Sequence, residues 1–301
     1  METVSIVISA FNEGYRLDRC LTTCTWAHEV IVVDSSSMDD TVTVAKKYTN
    51  HIFSRPNNPM LNVNKNFGFG KASGEWILSL DADEELPQAL VGEIRSATEG
   101  ASVVGFWIPR KNIIFGKWIQ HGIWWPDKQL RLFRRNRGKF PGKHVHESIE
   151  VDGPTLTLTQ PFIHHNYQSV SQFIRKMDTL YTESEVKNLL AADYRLNWYD
   201  AVRFPMSDFL KTYFAQEGYK DGLHGLVLSM LQAFYSFIVF VKLWEQSGFG
   251  QRDVDISDVS GEFHRAGRDI EYWMLTNQMR RTKNFLLRIG LKLKRHYVAK
   301  R

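Results

Sequence analysis

The chain has 301 residues, 43% hydrophobic and 13% aromatic, enough for one large domain or two modest ones with a buried core, which excludes a disordered chain. Its net charge of +5 is unevenly placed: Arg131 to Lys143 and Arg280 to Arg301 are dense in Lys and Arg and the first part of the chain is not. That asymmetry points to phosphate-bearing partners or an anionic membrane surface, with nucleic acid not expected.

The opening "METVSIVISAFNEG" lacks a basic n-region, and no signal peptide is expected. "VSIVISA" predicts a buried strand, Arg16 to Ala27 a helix, "EVIVVD" a second strand, and "DDTVTVAKKY" a helix capped by Asp39 or Asp40. Cys20 and Cys24, without His or Cys at zinc spacing, read as reduced core residues of a cytosolic protein. "HIFSRP" predicts a third strand, Val63 to Ala72 a helix and "EWILSLDAD" a fourth strand. Such alternation means an α/β fold, a mostly parallel sheet with helices on both faces, and ligands at the carboxyl ends of its strands. "SAFNEG", "DSSSMDD" and "DADEE" therefore fall together.

After Glu93 the pattern weakens into an aromatic-rich middle, the basic "KQLRLFRRNRGK" and "HVHESIE". From Ser169 onward helices dominate. The organisation read is an α/β domain over 1–168, a helical region over 169–250, and a basic C-terminal tail over 251–301. Within it, Gly225 to Val241 carries no charge over 17 residues. As a helix it is roughly 25 Å long, short of the roughly 30 Å hydrocarbon core. Gly222, Gly225, Ser229, Gln232 and Ser236 form a narrow small and polar stripe, which fits either a membrane-associated helix or a buried core or oligomer helix.

No G-x-G-x-x-G follows the first strand, and no P-loop pattern is present. Asp34 emerges at the end of "VIVV". Asp81 and Asp83, two apart in an extended segment, project to the same side and repel, so positive charge belongs beside them. Hard oxygen ligands suit Mg²⁺ or Mn²⁺, bound through one or two carboxylates with substrate phosphates. The plainer alternative is that they cap the next helix, with Pro87 near its first turn.

In this order and spacing, "SIVISAFNEG", "EVIVVDSSSMDDT" and "NFGFGKASGEWILSLDADEEL" resemble the GT-A glycosyltransferases of family 2, inverting enzymes that use nucleotide-sugar donors. Further on, "WWPDKQLRLFRRNRGKFPGKHVHESIE", "HHNYQSVSQFIRKMDTLY" and "GYKDGLHGLVLSMLQAFYSFIVFVKLWE" are similar to the subgroup containing lipopolysaccharide inner-core β-glucosyltransferases. The resemblance implies a GT-A, Rossmann-like fold with a C-terminal helical region, in which 1–168 is the nucleotide-sugar-binding and catalytic domain and 169–250 the helical acceptor or membrane-associated region. It implies that Ala10, Phe11 and Glu13 line a uridine pocket, that Asp34 contacts uracil or ribose, and that Lys65 or Asn66 reaches the nucleotide. Asp81 then holds ribose and metal-bound water, and Asp83 ligates the metal bridging the diphosphate. The usual second acid directly after Asp34 is replaced here by Ser35.

Inverting transfer needs a base on the acceptor side. Glu147 in "HVHESIE" is the first candidate and Asp127 in "WWPDKQL" the second. Arg131, Arg134 and Arg135 offer guanidinium forks to the diphosphate. His144, His146, His164 and His165 lack i, i+4 spacing and cysteine partners, so zinc is not expected, although one of them fits as an added Mn²⁺ ligand or phosphate contact. The reading is a UDP-sugar-dependent transferase acting on a hydroxyl of a membrane-held glycolipid or saccharide, peripheral on the cytoplasmic face of the membrane, with a homo-oligomer through the apolar helix as one alternative for that segment. The competing readings are transfer to polyprenyl phosphate, which needs no base, and a non-catalytic nucleotide-binding module.

Overall fold

The computed structural model describes residues 2–58, 60–142 and 147–300. Residues 1–118 and 125–168 form one unit, and residues 119–124 with 169–301 form another. The first contains, in chain order, β1 (Val4–Ala10), α1 (Gly14–Thr22), β2 (Glu29–Asp34), α2 (Thr41–Ala45), β3 (Ile52–Ser54), α3 (Leu61–Phe69), β4 (Trp76–Asp81), β5 (Glu84–Glu85) and α4 (Gln88–Thr98). Beyond these lie β6 (Gly105–Ile114), β7 (Lys117–Trp118), β8 (Lys128–Arg134), β9 (Gly138–Lys139), β10 (Glu150–Val151), β11 (Thr155–Thr157) and β12 (Phe162–His165).

The main sheet runs β3-β2-β1-β4-β8-β6-β12-β5, with β7 and β11 also paired to β6. β1 to β4 are mutually parallel, and β8 is antiparallel to both β4 and β6. Alternation along the central strands supplies two cores. Ile6, Ile8, Val32, Leu78 and Leu80 pack against α1 and α4 through Leu17, Leu21, Leu90 and Ile94. Val7, Ile31, Val33 and Ile77 face Phe69 of α3, with Phe133 and Phe140. Each fully buried Ile or Leu contributes about 1.5–3 kcal/mol. α3 sits close on its face because Gly68 has no side chain: a Cβ there would lie 2.5 Å from Val7 Cγ1 and 2.9 Å from Val33 Cγ2.

Two local expectations change. The fourth strand stops at Asp81, with Ala82 and Asp83 in a turn. Glu84 Oε2 accepts the Asp81 amide at 2.9 Å, which closes that turn and lets Glu84 and Glu85 pair with β12. Asp81 and Asp83 therefore do not share one face of an extended strand. Asp40 occupies the N-cap of α2 without a side-chain cap bond, while Asp39 accepts from the Thr41 amide at 3.0 Å and the Gly14 amide at 3.1 Å.

The second unit contains α5 (Val170–Lys176), α6 (Thr182–Ala191), α7 (Asp200–Phe209), α8 (Leu223–Gln246), α9 (Ile256–Arg281) and α10 (Phe285–Lys300). Its segment 119–124 is tied in where the Gln120 amide and His121 Nδ1 meet the buried Asp221 carboxylate at 3.2 Å. The stretch from 251 onward, expected as a tail, is largely two helices. α8 has 24 residues, so it is about 36 Å long rather than roughly 25 Å. By length and composition it can cross a membrane, with a mean hydropathy of 1.9 and 33% of its most apolar window buried. Its small and polar stripe is taken up inside the unit: a Cβ on Gly225 would strike the Gly218 carbonyl, Gln232 Nε2 donates to Asp208 of α7 at 3.1 Å, and Ser236 donates to the same carboxylate.

Gly68→Ala should lower stability by about 1–3 kcal/mol through overpacking against Val7 and Val33. Gly92→Ala in α4, where nothing lies within 4 Å of the new Cβ, should be neutral or stabilising. Urea unfolding of the two variants provides the comparison.

Candidate active site at the carboxyl ends of the central strands

Register sets the site. Ala10 pairs with Asp34 across β1 and β2, and Ser9 pairs with Asp81 across β1 and β4, so the three strands end level. Two strand spacings put the Asp34 and Asp81 backbones about 10 Å apart, flanking the end of β1. The loops above them are stitched together. The Asn12 amide donates to Ser37 Oγ at 2.9 Å, Asn12 Oδ1 accepts the Met38 amide at 2.8 Å, and the Glu13 amide donates to Thr41 Oγ1 at 2.9 Å.

Asp34 is 2% exposed and turns back on its own loop, accepting the Ser37 amide at 3.2 and 3.3 Å. Ala10 is buried and Phe11 is exposed beside it. Glu13 pairs with Arg16 at 2.9 Å on the first turn of α1.

At the end of β4 the expected positive charge is supplied by the protein. Lys65 Nζ from α3 lies 2.5 Å from Asp81 Oδ1, and Arg131 Nη2 from β8 lies 2.7 Å from Asp81 Oδ2. The same Nη2 reaches Glu84 Oε1 at 2.9 Å, and Glu84 is fully buried. Burial alone would raise the Asp81 pKa, but the charges of Arg131 and Lys65 outweigh it and hold the carboxyl well below the usual range. For Glu84 burial prevails, assisted by neighbouring Asp81, and its pKa rises despite Arg131. Two cations and two carboxylates thus compensate one another in a site that neither pair could occupy unpartnered.

Asp83 belongs to a second network. Its Oδ2 lies 3.6 Å from His164 Nε2, and its carbonyl accepts the His165 amide at 3.0 Å. His164 Nδ1 meets Asn112 Oδ1 at 2.7 Å, and Asn112 Nδ2 donates to Asp127 Oδ2 at 2.9 Å. A carboxylate only accepts, so the Asn112 amide nitrogen must face Asp127 and its oxygen His164; Nδ1 then carries the proton and Nε2 is turned to Asp83. Asp127 is clamped further by Arg110 Nε at 2.7 Å and Gln129 Nε2 at 2.8 Å. On the neighbouring edge, His165 contacts Glu85 at 2.6 Å, and burial together with the charge of Arg19 lowers its pKa.

The remaining expectations divide. Glu147 Oε1 accepts from the Gly142 amide at 2.6 Å and from Asn62 Nδ2 at 3.1 Å, one turn of α3 before Lys65. Asn66 is directed elsewhere: its amide makes two 2.9 Å bonds to the backbone of Phe140 and so fixes that loop instead of facing the strand ends. Arg134 is a correction. It pairs in register with Trp76, the first residue of β4, about 17 Å of strand away from Asp81, and contacts Glu2 and the Trp76 ring. His144 and His146 lie outside the described residues.

Among the described residues no three His, Cys, Asp or Glu side chains gather into a metal cluster. Both Asp81 oxygens already carry cations, so the donors that fit a divalent ion are Asp83 and His164, an oxygen and a nitrogen that need completion by phosphate oxygens and water. Sequence reasoning missed Arg110, Asn112, Gln129 and Glu84. The available signal was polar residues at i, i+2 in otherwise apolar strands, Arg110 with Asn112 and Gln129 with Arg131, which share a face.

A mostly parallel α/β unit with an acid-lined edge at its strand ends is a ligand-binding domain of the doubly wound kind. Residues 5–150 match the sequence model of glycosyl transferase family 2. The chain is 25% identical over 259 residues to the lipopolysaccharide core biosynthesis glycosyltransferase LpsC of Rhizobium meliloti (strain 1021), covering 83% of this chain and 94% of that protein. It is 28% identical over 273 residues to an uncharacterised glycosyltransferase of Rickettsia typhi (strain Wilmington), covering 86% and 92%. Among solved structures, S. aureus TarS 1–349 in complex with UDP aligns over 84% of this chain and 94% of that chain, at 13% identity and a TM-score of 0.42. Residues 5–150 are thus a glycosyltransferase family 2 domain, and the chain is a glycosyltransferase.

Arg131→Met should cost about 3–5 kcal/mol, because it leaves the fully buried Glu84 without its cation beside the half-buried Asp81, which keeps only Lys65. Adding Glu84→Gln should recover part of that loss, and a double-mutant cycle in urea measures it. The stability that Asp81 contributes is complete above the ordinary carboxylate range near about 4 and is lost as pH falls through its depressed native value. The difference between wild type and Asp81→Asn should accordingly be constant near neutrality and shrink only in acid.

Proposed function

We propose that the enzyme moves a sugar, with inversion, from a UDP-sugar to a hydroxyl of a membrane-held glycolipid or saccharide of the lipopolysaccharide-core type, at the cytoplasmic face of the membrane. The observation that carries this reading is the level ending of β1, β2 and β4, which sets Asp34 and Asp81 around one strand end with the Asp83–His164 pair on the turn beyond. The names of LpsC and of the TarS–UDP complex agree with the acceptor and donor classes, respectively, for those proteins.

The nucleoside lies over Ala10 to Glu13 with Asp34 beneath, and Lys65 reaches the diphosphate. Asp83 and His164 are the residues that would hold a Mg²⁺ or Mn²⁺ ion, which when bound neutralises charge on the departing diphosphate. The acceptor hydroxyl attacks the anomeric carbon from the face opposite UDP, its proton passing to a carboxylate as the new glycosidic bond forms and the bond to the diphosphate breaks.

Asp127 is favoured for that proton over Glu147. Its position is set by donors from β6 and β8, and a base works only when held to within a fraction of an ångström. One lone pair of Oδ1 remains beyond the Gln129 bond.

Asp127→Asn should cut turnover by about 10²–10⁴ while leaving UDP affinity intact. If Glu147→Gln has that effect instead, the base is Glu147. If neither does, the acceptor is an anion such as polyprenyl phosphate. Asp83→Asn should abolish the stimulation by Mg²⁺ or Mn²⁺, and Asp34→Ala should weaken UDP binding by about 1–3 kcal/mol in calorimetry. UDP binding that no divalent ion affects would leave only a nucleotide-binding module.

A further inference from the structure

We infer that α10 is a docking helix for an anionic phospholipid surface. The helix rests on α9 by one side: Val298 is buried, Arg295 Nη1 donates to Thr276 Oγ1 at 3.3 Å, and the Arg295 guanidinium lies 5.2 Å from the centre of the Tyr272 ring. The other side is largely apolar and bare, with the exposed His296 and Lys300 set among the apolar residues. Phe285 is 73% exposed, Leu286 77%, Ile289 42%, Leu293 67% and Tyr297 58%. At 3.6 residues per turn these five fall within an arc of about 120°.

The rim of that arc is basic. Arg288 and Lys292, one turn apart, run along one edge and Lys294 along the other; all three are exposed, and Lys294 Nζ also lies 3.1 Å from Glu271 Oε1 of α9. From Tyr272 to the last residue there is no Asp or Glu at all. An exposed apolar stripe bordered by one sign of charge is the pattern of a helix lying in the plane of a membrane interface, with its apolar side among the acyl chains and its basic rim against phosphate headgroups. The charge also decides between occupants. A second copy of the chain would bring the same basic rims together, whereas an anionic bilayer neutralises them.

This surface goes beyond the strand-end site and draws on the proposed function only for where the acceptor is held, so binding can be measured without any transfer. The full chain should sediment with phosphatidylcholine vesicles that contain phosphatidylglycerol and not with phosphatidylcholine alone, and raised salt should weaken the association. Arg288→Gln with Lys292→Gln should lower partitioning roughly thirtyfold. Leu286→Ser with Leu293→Ser should lower it as well, with far-ultraviolet circular dichroism and UDP binding unchanged in both double variants. Vesicle binding as strong in these variants as in wild type overturns the inference, as does equal binding to the neutral vesicles. A wild-type dimer in size-exclusion chromatography that Leu286→Ser with Leu293→Ser dissociates, without vesicle binding, also overturns it and assigns the face to a second copy. Failure of vesicle binding with intact UDP-sugar turnover removes this inference alone, and vesicle binding without turnover removes the proposed function alone.

Discussion

The first unit turns on the Arg131 guanidinium, buried between Asp81 and Glu84. β8, which carries it, is the antiparallel strand that joins the parallel half of the sheet to β6 and β12. Two carboxylates at the end of a buried strand are tolerated only beside such a cation. Glu84 in turn accepts the Asp81 amide and closes the turn that sends Asp83 away from Asp81. Folding and site geometry therefore rest on the same charges: the arrangement that makes burial affordable also distributes the two acidic residues to different neighbours.

Around that centre the site has two walls of different construction. On one, β6, β8 and β12 carry a chain of hydrogen bonds from Arg110 through Asp127 and Asn112 to His164, in which each partner dictates the orientation of the next, and Asp83 lies 3.6 Å beyond His164 Nε2. On the other, α3 contributes Asn62 and Lys65 from successive turns, while Asn66 on the same helix anchors the Phe140 backbone. Gly68 lets α3 approach the sheet closely enough for Lys65 to reach the strand end. A strand wall is rigid because its register is fixed by the ladder. A helix wall is adjustable only as far as its packing allows.

The second unit follows a different economy of surface. α8 uses its glycines and small polar residues against α7 and the turn at Gly218, and exposes Leu223, Met230, Phe234 and Phe237 on another side. α10 covers α9 with one side and leaves its apolar arc uncovered. The same helix-packing rule serves both, since small residues admit close backbone approach and large ones do not.

Much of the first unit was legible because period-two and helical patterns report burial directly. "VSIVISA", "EVIVVD" and "WILSLD" could only be buried strands, and their order could only leave the acidic loops at one edge. Asp34, Asp81 and Asp83 stood out for the same reason, as did the need for positive charge near Asp81. What the sequence could not say was which charge. Arg131 and Arg134 are three apart in one basic run, yet strand pairing sends one to the end of β4 and the other to its beginning. Asn66 and Lys65 are adjacent, yet one binds the Phe140 backbone and the other Asp81, because neighbours on a helix point about 100° apart. The amino-acid order determined the parallel strands, the acidic edge and the stripe on α8; only the tertiary structure decided the partners, since a partner is chosen by strand register and helix placement over dozens of intervening residues, and no local pattern records them.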